Sequence, residues 1–193
     1  QRGNRRERKP RFEPPSHIEL IKEVKHQVPM LFFAFSRMGC QQRAEQLSKM
    51  KLFEPDSEVT AYVQERLRDA PSEVGHLATA RMLRHCLSQG IGFHHAGLLP
   101  ILKEIVEELF GKGKIKVLYT TETFAVGINM PAKAVCLESL RKFNGRDFRL
   151  VDSKEFFQIA GRAGRRTARR SASRPGRSRL PPRGPRTDPP GRT

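Results

Sequence analysis

Short apolar runs alternate with amphipathic segments along most of the chain. Residues 30–35 are a continuous apolar run, which is typical of a strand covered on both faces. Further strands are predicted at residues 91–93, 115–121 and 134–140. Apolar positions at helical spacing follow Ser16, Ser36 and Pro100, which predicts a helix after each. Residues 51–89 carry two further predicted helices, broken near Pro71, and are interpreted as a helical insertion. The alternation predicts an α/β fold with a mainly parallel sheet and helices on both faces.

The segment 152–166 combines an apolar stripe with a polar one. Asp152 and Glu155 form a capping-box pattern that predicts the start of a helix. At about 100° per residue, one stripe consists of Phe156, Ile159, Ala160 and Ala163. The opposite stripe consists of Gln158, Arg162 and Arg165. One face is predicted to pack, and the other presents an amide and two guanidiniums.

Two glycines, Gly161 and Gly164, interrupt this predicted helix. Each weakens a helix by about 1 kcal/mol relative to alanine, a cost that is consistent with close approach of a polyphosphate to the backbone. Arg162 and Arg165, one turn apart, match the spread charge of a phosphoryl transition state. The alternative is a basic surface helix that binds nucleic acid nonspecifically.

Polar residues follow the predicted strands, where α/β sheets bind ligands. Ser36 and Arg37 follow the first strand and form either a binding loop or only a helix cap and a surface cation. In the helix after them, Cys40, Ala44 and Leu47 are predicted to face inward, and Gln41, Gln42, Arg43 and Glu45 to face water.

The later strands end in further polar turns. Adjacent His94 and His95 cannot both face one metal, so this turn predicts either a buried histidine or imidazoles and N–H groups against a nucleic-acid backbone. No metal site is predicted. Threonines 120, 121 and 123 could donate hydroxyls to phosphates, and Gly127 with Asn129 predicts a tight, polar-tipped turn.

Charge divides the 193 residues into three parts. Residues 1–15 are predicted to be a basic linker, 16–166 a single lobe, and 167–193 a disordered tail rich in Arg and Pro. Segments 1–11 and 167–193 hold +5 and +7 of the +17 net charge, leaving +5 for the middle. A polyanionic partner is therefore expected.

The cysteines and the apolar runs bear on the setting of the chain. Cys40, Cys86 and Cys136 are widely spaced, which fits a reducing intracellular setting, nucleus or cytoplasm, rather than a disulfide framework or a zinc site. No run reaches the roughly 18 apolar residues of a membrane span, so no membrane partner is expected.

Five motifs follow one another along the chain: LFFAFSR, GFHHAGLLP, VLYTTETFAVGINMPAKAV, LRKFNGRDFR and FFQIAGRAGRR. Together they resemble the second motor lobe of superfamily-two helicases, more closely the superkiller type of exosome-associated RNA helicase, over about residues 16–166. The last three motifs together are highly specific. The resemblance implies a RecA-like lobe of an ATP-driven two-lobe clamp on single-stranded or partly duplex RNA, with DNA as another possible strand and an exosome-type RNA-decay complex as another partner.

The resemblance also implies roles for individual residues. Those implied at the nucleic acid are Ser36, Arg37, His94, His95, Ala96, Gly97, Thr121 and Thr123. Those implied beside the nucleotide are Gly127, Asn129, Gly161 and Gly164. Gln158 is implied near the γ-phosphate, with Arg162 and Arg165 as arginine fingers. ATP with Mg²⁺ would be held mainly by the first lobe.

The sequence also departs from the family pattern. It contains no GxxxxGK[ST] loop and no DExH-type acidic motif, so the phosphate-binding first lobe is missing and the isolated chain is expected to be an inactive fragment. Thr167 stands where family members have a glycine followed by an apolar strand. The tail is therefore interpreted as a frame or splicing replacement, or else as a basic arm for RNA. A non-catalytic nucleic-acid-binding module remains the alternative to an enzyme part.

Overall fold

The computed structural model of this protein describes residues 15–121, 132–143 and 146–161. Its helices are α1 His17–Val24, α2 Arg37–Lys49, α3 Ser57–Arg68, α4 Ser72–His76, α5 Ala78–Ser88, α6 Pro100–Gly111 and α7 Ser153–Ala160, with a 3-10 turn at Lys25–Gln27. Its strands are β1 Met30–Phe33, β2 Ile91–His94, β3 Val117–Thr120, β4 Ala134–Leu137, β5 Arg141–Phe143 and β6 Phe148–Leu150. The four predicted strands and the helices expected after Ser16, Ser36 and Pro100 are confirmed.

The central sheet has the order β2–β3–β1–β4, and every pair in it is parallel. Parallel neighbours need crossover connections, and helices supply them between successive strands: α2 to α5 between β1 and β2, and α6 between β2 and β3. The sheet is flanked by these helices, so the predicted α/β class is confirmed.

The core consists of the apolar runs together with the inward faces of the helices. Strands β1, β2 and β3 are buried along their whole length, with Phe33, Phe93 and Tyr119 fully buried. Cys40, Ala44 and Leu47 of α2 face this core as predicted. None of the described helices is long and apolar enough to cross a membrane.

Sequence capping signals account for where several helices begin. Ser16 and Glu19 form a complete capping box at α1, and Asp152 and Glu155 form another at α7. Each box satisfies N–H groups that the first helical turn leaves unpaired. The capping box therefore identified the start of both helices correctly.

Two segments differ from the sequence-based expectation. The segment 142–149, predicted as a polar loop, contains part of an antiparallel hairpin in which β5 pairs with β6. Residues 51–89 form three helices rather than two, because Leu77 adopts an extended conformation between α4 and α5. Gly75, a poor helix former, precedes this break and limits α4 to five residues.

The three cysteines are free thiols. Burial raises the pKa of Cys40 to about 12 and that of Cys86 to about 11, and it also raises the pKa of Cys136. These thiols therefore stay protonated at neutral pH and serve as small apolar side chains.

His17 ties α1 to the sheet and to α2. Its Nδ1 lies 2.8 Å from the Tyr119 hydroxyl, and its Nε2 lies 2.9 Å from Oε1 of Gln46. The hydroxyl donates to Nδ1 and Nε2–H donates to the amide oxygen, so the ring is neutral in this arrangement. Burial is the main cause that lowers the pKa of His17, and the nearby Arg43 acts in the same direction.

This network predicts that the free energy of unfolding falls on acidification. Because the pKa of His17 is lower in the folded protein, the unfolded chain binds more protons once the pH falls below about 6.5. Stability is then full above that pH and decreases below it. Thermal unfolding from about pH 7.5 to about pH 5.5 measures the loss, which should be smaller in His17→Gln than in the wild type. The variant His85→Gln, at an exposed position of α5, is the control. An equal loss in His17→Gln and the wild type would contradict the prediction.

Candidate nucleotide and nucleic-acid interface

The four parallel strands end in register at one edge of the sheet. Phe33 aligns with Thr120 and with Leu137, and Thr120 aligns with His94, so the last residues of the strands form one row. We call this the carboxyl edge. The loops that leave it contain most of the described residues that the sequence singled out, as expected for ligand binding in α/β sheets.

The loop after β1 ends at Ser36, and Arg37 is the first residue of α2. Ser36 caps α2, and its Oγ accepts a hydrogen bond of 2.9 Å from the Gly39 N–H. Arg37 is exposed, and its side chain lies against Gly97 of the next loop, where a Cβ would come within 3.3 Å of it. Ser36 thus has the local role that the sequence alternative allowed, and Arg37 is available to a ligand.

The turn after β2 directs both imidazoles inward. His94 and His95 are only 8% and 3% exposed. His94 Nε2 lies 2.8 Å from Glu107 Oε1, and the His95 ring stacks on Phe93. Ala96 and Gly97 are exposed. A ligand at this turn would therefore meet the backbone of Ala96 and Gly97 rather than the imidazoles.

Both histidines are held in the neutral form. Burial is the largest cause that lowers the pKa of each. For His95, the positive charge of Arg37 lowers the pKa further, whereas for His94 the Glu107 carboxylate partly opposes the effect of burial. The turn therefore carries little positive charge of its own at neutral pH.

Glu138 directly follows β4 and connects this strand to two other parts of the structure. Its carboxylate forms an ion pair with Arg43 of α2 and accepts a hydrogen bond of 3.3 Å from the Phe35 N–H. Arg43, predicted to face water, is thus only partly exposed. Gly39 lies beneath this ion pair, since a Cβ there would come within 2.7 Å of both the Arg43 guanidinium and Ser36 Oγ. The loop after β1 is therefore fixed by Glu138 at Phe35 and by the cap of α2 at Ser36.

The end of β3 contributes threonine hydroxyls. Thr120 is fully buried, and its hydroxyl donates to the Thr121 carbonyl over 3.3 Å. Thr121 is partly exposed at the carboxyl edge. Three residues that follow in this motif, Thr123, Gly127 and Asn129, lie outside the described residues.

Helix α7 presents Gln158 to solvent. Ile159 on its inner side is 2% exposed, but Phe156, predicted to pack beside it, is 38% exposed. The expectation for Phe156 was wrong. In the described helix only Ile159 and the half-buried Ala160 of the predicted apolar stripe lie against the rest of the structure. Three further residues predicted at this site, Arg162, Gly164 and Arg165, lie outside the described residues.

Gly161 has a local reason to be glycine. A Cβ there would lie 2.8 Å from the Phe157 carbonyl oxygen, so any side chain would force the end of α7 to shift. Close approach of a phosphate is therefore not needed to explain the glycine at this position.

The solvent face of α7 is suited to an anion. Lys154 and Gln158, one turn apart, are both exposed and offer N–H donors. The carboxylate of the helix, Glu155, is held by Arg149 in hydrogen bonds of 2.7 and 3.0 Å. Both groups are chemically able to bind an anion. Among the described residues no group of three His, Cys, Asp or Glu side chains comes together to hold a metal.

Three side chains of this region were not identified from the sequence. Gln41 contacts His95, Glu107 contacts His94, and Glu138 contacts Arg43. Gln41 and Arg43 had been assigned to the water-facing side of α2. Each contact joins residues from different elements, so helical periodicity carried no signal for it; only the strand order brings them together.

Comparison with known proteins places the chain in a family. Residues 42–167 match the helicase conserved C-terminal domain. The chain is 42% identical over 173 residues to human Exosome RNA helicase MTR4, and this match covers 86% of the chain and 16% of that protein. It is 44% identical over 142 residues to human Superkiller complex protein 2, covering 72% of the chain and 11% of that protein.

A fungal relative gives the same result. The ATP-dependent RNA helicase mtr4 of Schizosaccharomyces pombe is 41% identical over 157 residues, covering 79% of the chain and 14% of that protein. The chain thus spans less than a fifth of the length of these curated relatives. It belongs to the helicase conserved C-terminal domain family, as the C-terminal lobe of a superfamily-two helicase related to the exosome and superkiller RNA helicases.

Proposed function

We propose that this chain is the C-terminal half of an ATP-driven RNA motor. In this function the carboxyl edge of its sheet binds single-stranded RNA, and the segment 158–165 completes an ATP site shared with a first lobe. The observation that carries the proposal is the common position of Arg37, Ala96, Gly97 and Thr121 at the ends of three adjacent strands. Loops at one edge can contact successive phosphates of one strand.

RNA binding at this edge would rely on backbone contacts. Arg37 offers a guanidinium, Thr121 a hydroxyl, and the turn at Ala96 and Gly97 an exposed main chain. Such groups recognise phosphate and sugar and carry no base information, which suits a motor that moves along any sequence. Ser36 and the two histidines support these groups from beneath rather than touching the strand. Thr123, outside the described residues, is proposed to act with Thr121.

ATP binding would rely on the donors at and after α7. When bound between two lobes, ATP would favour their closure and would supply the γ-phosphoryl group that is transferred to water. Gln158 would orient that group, and Arg162 and Arg165 would neutralise its charge. Gly127 and Asn129, with Gly161 and Gly164, would line the nucleotide. The first lobe would hold Mg²⁺ and the other phosphates.

The partners follow from the same assignment. They would be single-stranded or partly duplex RNA, a first helicase lobe and an exosome-type RNA-decay complex, in the nucleus or the cytoplasm. DNA would compete for the same edge wherever only phosphates are contacted.

A second candidate function is a non-catalytic module that grips nucleic acid. The net charge of +17 favours it. In that case nucleic-acid binding would be salt-sensitive, and joining the chain to a first helicase lobe would not produce ATP hydrolysis.

The test compares two matched arginine variants. Arg37→Ala and Arg81→Ala each remove one exposed positive charge, the first at the carboxyl edge and the second on α5. For a fluorescent single-stranded oligouridine, Arg37→Ala should weaken binding about 3- to 10-fold and reduce the salt dependence by about one counterion. Arg81→Ala should leave both nearly unchanged.

The same proteins, joined to the first lobe of a related helicase, then report ATP hydrolysis. RNA-stimulated hydrolysis in the wild type supports the motor, and its absence supports the bare grip. Equal losses of RNA affinity in Arg37→Ala and Arg81→Ala would remove the carboxyl edge as the binding surface.

A further inference from the structure

One face of α2 contacts the turn after β2 at two points. Arg37 and Gln41 are four residues apart and therefore lie on the same side of the helix. The Arg37 side chain lies against Gly97. The Gln41 side-chain nitrogen is placed 2.9 Å from Nε2 of His95. The first turn of α2 thus holds both ends of the segment from His95 to Gly97.

The hydrogen bonds of His95 determine where its proton lies. The Gly97 N–H donates to Nδ1 over 3.1 Å, so Nδ1 carries a lone pair. A neutral ring then has its proton on Nε2. Because an Nε2–H cannot bond to another donor, we assign the Gln41 amide oxygen, in place of the nitrogen, to this contact, where it accepts the proton. The chain Gly97 N–H to His95 to Gln41 is then fully satisfied.

This chain of bonds shapes the turn. The Leu98 N–H also donates to the His95 carbonyl over 3.1 Å, so His95 is bonded through its ring and through its backbone. The ring is 3% exposed and stacked on Phe93, with the ring centroids 6.0 Å apart. Water therefore has little access to Nε2, and an unpaired N–H there would be costly. Besides Gln41, the charged or titratable groups near this ring are Arg37, His94 and Lys103.

We propose that Gln41 is a positioning residue for the RNA-binding edge: it fixes His95 as the Nε2–H tautomer and thereby sets the turn that presents Ala96 and Gly97. The inference rests on the proposed function for its RNA consequence, but the tautomer and the turn can be measured without RNA. Gln41 itself does not touch the strand. It acts from α2, and so it couples the loop after β1 to the loop after β2.

The experiment uses the full chain, isotope-labelled for nuclear magnetic resonance, in three variants. Gln41→Leu removes the acceptor, Gln41→Glu replaces it with a charged acceptor, and Gln42→Leu changes the neighbouring exposed glutamine as a control. In Gln41→Leu the Gly97 amide should exchange with solvent about 10-fold faster or more. In Gln41→Glu the carboxylate should raise the pKa of His95, and the turn should stay closed at a pH where the ring is neutral, because a protonated Nδ1 cannot accept from the Gly97 N–H. Gln42→Leu should change neither property.

Binding of the fluorescent oligouridine separates this inference from the proposed function. Faster Gly97 exchange with about 3- to 10-fold weaker RNA binding in Gln41→Leu supports both. Faster exchange with unchanged RNA binding supports the positioning role and removes the turn from the RNA surface. If the Gly97 amide exchanges at the wild-type rate in Gln41→Leu and the His95 titration is unchanged in Gln41→Glu, the positioning role is excluded, whatever the RNA affinity.

Discussion

Replacing Arg165 with alanine is expected to reduce RNA-stimulated ATP hydrolysis by roughly 10³- to 10⁵-fold in a protein that joins this lobe to a first lobe. An arginine finger stabilises the charge distribution of the phosphoryl-transfer transition state more than that of bound ATP, and this difference accelerates the reaction. The expectation comes from the sequence, where Arg165 lies on the stripe of Gln158 and Arg162 and matches the position of an arginine finger. Arg165 lies outside the described residues, so only kinetics tests its role here.

Two control variants distinguish the specific effect of Arg165 on ATP hydrolysis from the effect of losing one positive charge. Arg81→Ala removes an exposed arginine from α5 and should leave hydrolysis unchanged. Arg165→Lys keeps the charge but loses the planar fork, so it should recover only a small part of the rate. RNA affinity should stay near the wild-type value in Arg165→Ala, because the arginine is assigned to the nucleotide. Wild-type hydrolysis in Arg165→Ala would show that the finger assignment is wrong.

The sheet could be predicted from sequence because burial on both faces leaves a continuous apolar run. The run at 30–35 became β1 at Met30–Phe33, and the run at 115–121 became β3 at Val117–Thr120. β1 is shorter than its run because residues 34–35 follow the strand at the carboxyl edge, whereas β3 omits residues 115–116 at its start as well as Thr121 at its end. Polar residues such as Ser36 and Thr121 follow the strands and so mark the loops at the carboxyl edge.

Side-chain contacts between elements could not be predicted in the same way. Arg43 pairs with Glu138, and the two are 95 positions apart in the chain. The ion pair depends on β4 lying beside β1, a neighbour relation that periodicity does not encode. Helical periodicity likewise predicts that Gln41 faces water, but in the sheet order β2–β3–β1–β4 the turn after β2 lies within reach of α2. Predicting such contacts requires the order of the strands, which the hydrophobic pattern does not contain.

The adjacent histidines illustrate how chemistry and packing compete. His94 and His95 suggested imidazole contacts with a nucleic-acid backbone, because exposed imidazoles are good hydrogen-bonding groups. In the fold, His94 ends β2 and His95 stacks on Phe93, so both rings are buried. Consecutive residues can both be buried here because the chain turns directly after the strand. Of the two roles that the sequence allowed for this turn, the fold shows the buried histidine.

Helix α7 is attached to the core of the described structure through a single buried side chain. Ile159 is 2% exposed, whereas Phe156 and Phe157 are 38% and 71% exposed. Removing an isoleucine side chain from a core usually costs about 2–5 kcal/mol. Because no other described residue of α7 is buried, this cost should appear as local detachment of the helix rather than as unfolding of the whole lobe.

Ile159→Ala is therefore expected to accelerate amide hydrogen exchange in α7 by roughly 30-fold or more, since every 1.4 kcal/mol corresponds to a factor of ten. Exchange in β1 and β3 should stay near the wild-type rate. ATP hydrolysis by the two-lobe protein should also decrease in Ile159→Ala, because Gln158 lies on the same helix. Phe157→Ala, which removes a larger but exposed side chain next to Ile159, is the matched control and should affect neither measurement. Equal acceleration in α7 and in the central strands would instead mean that the helix unfolds only with the lobe, so that α7 is an integral part of the core.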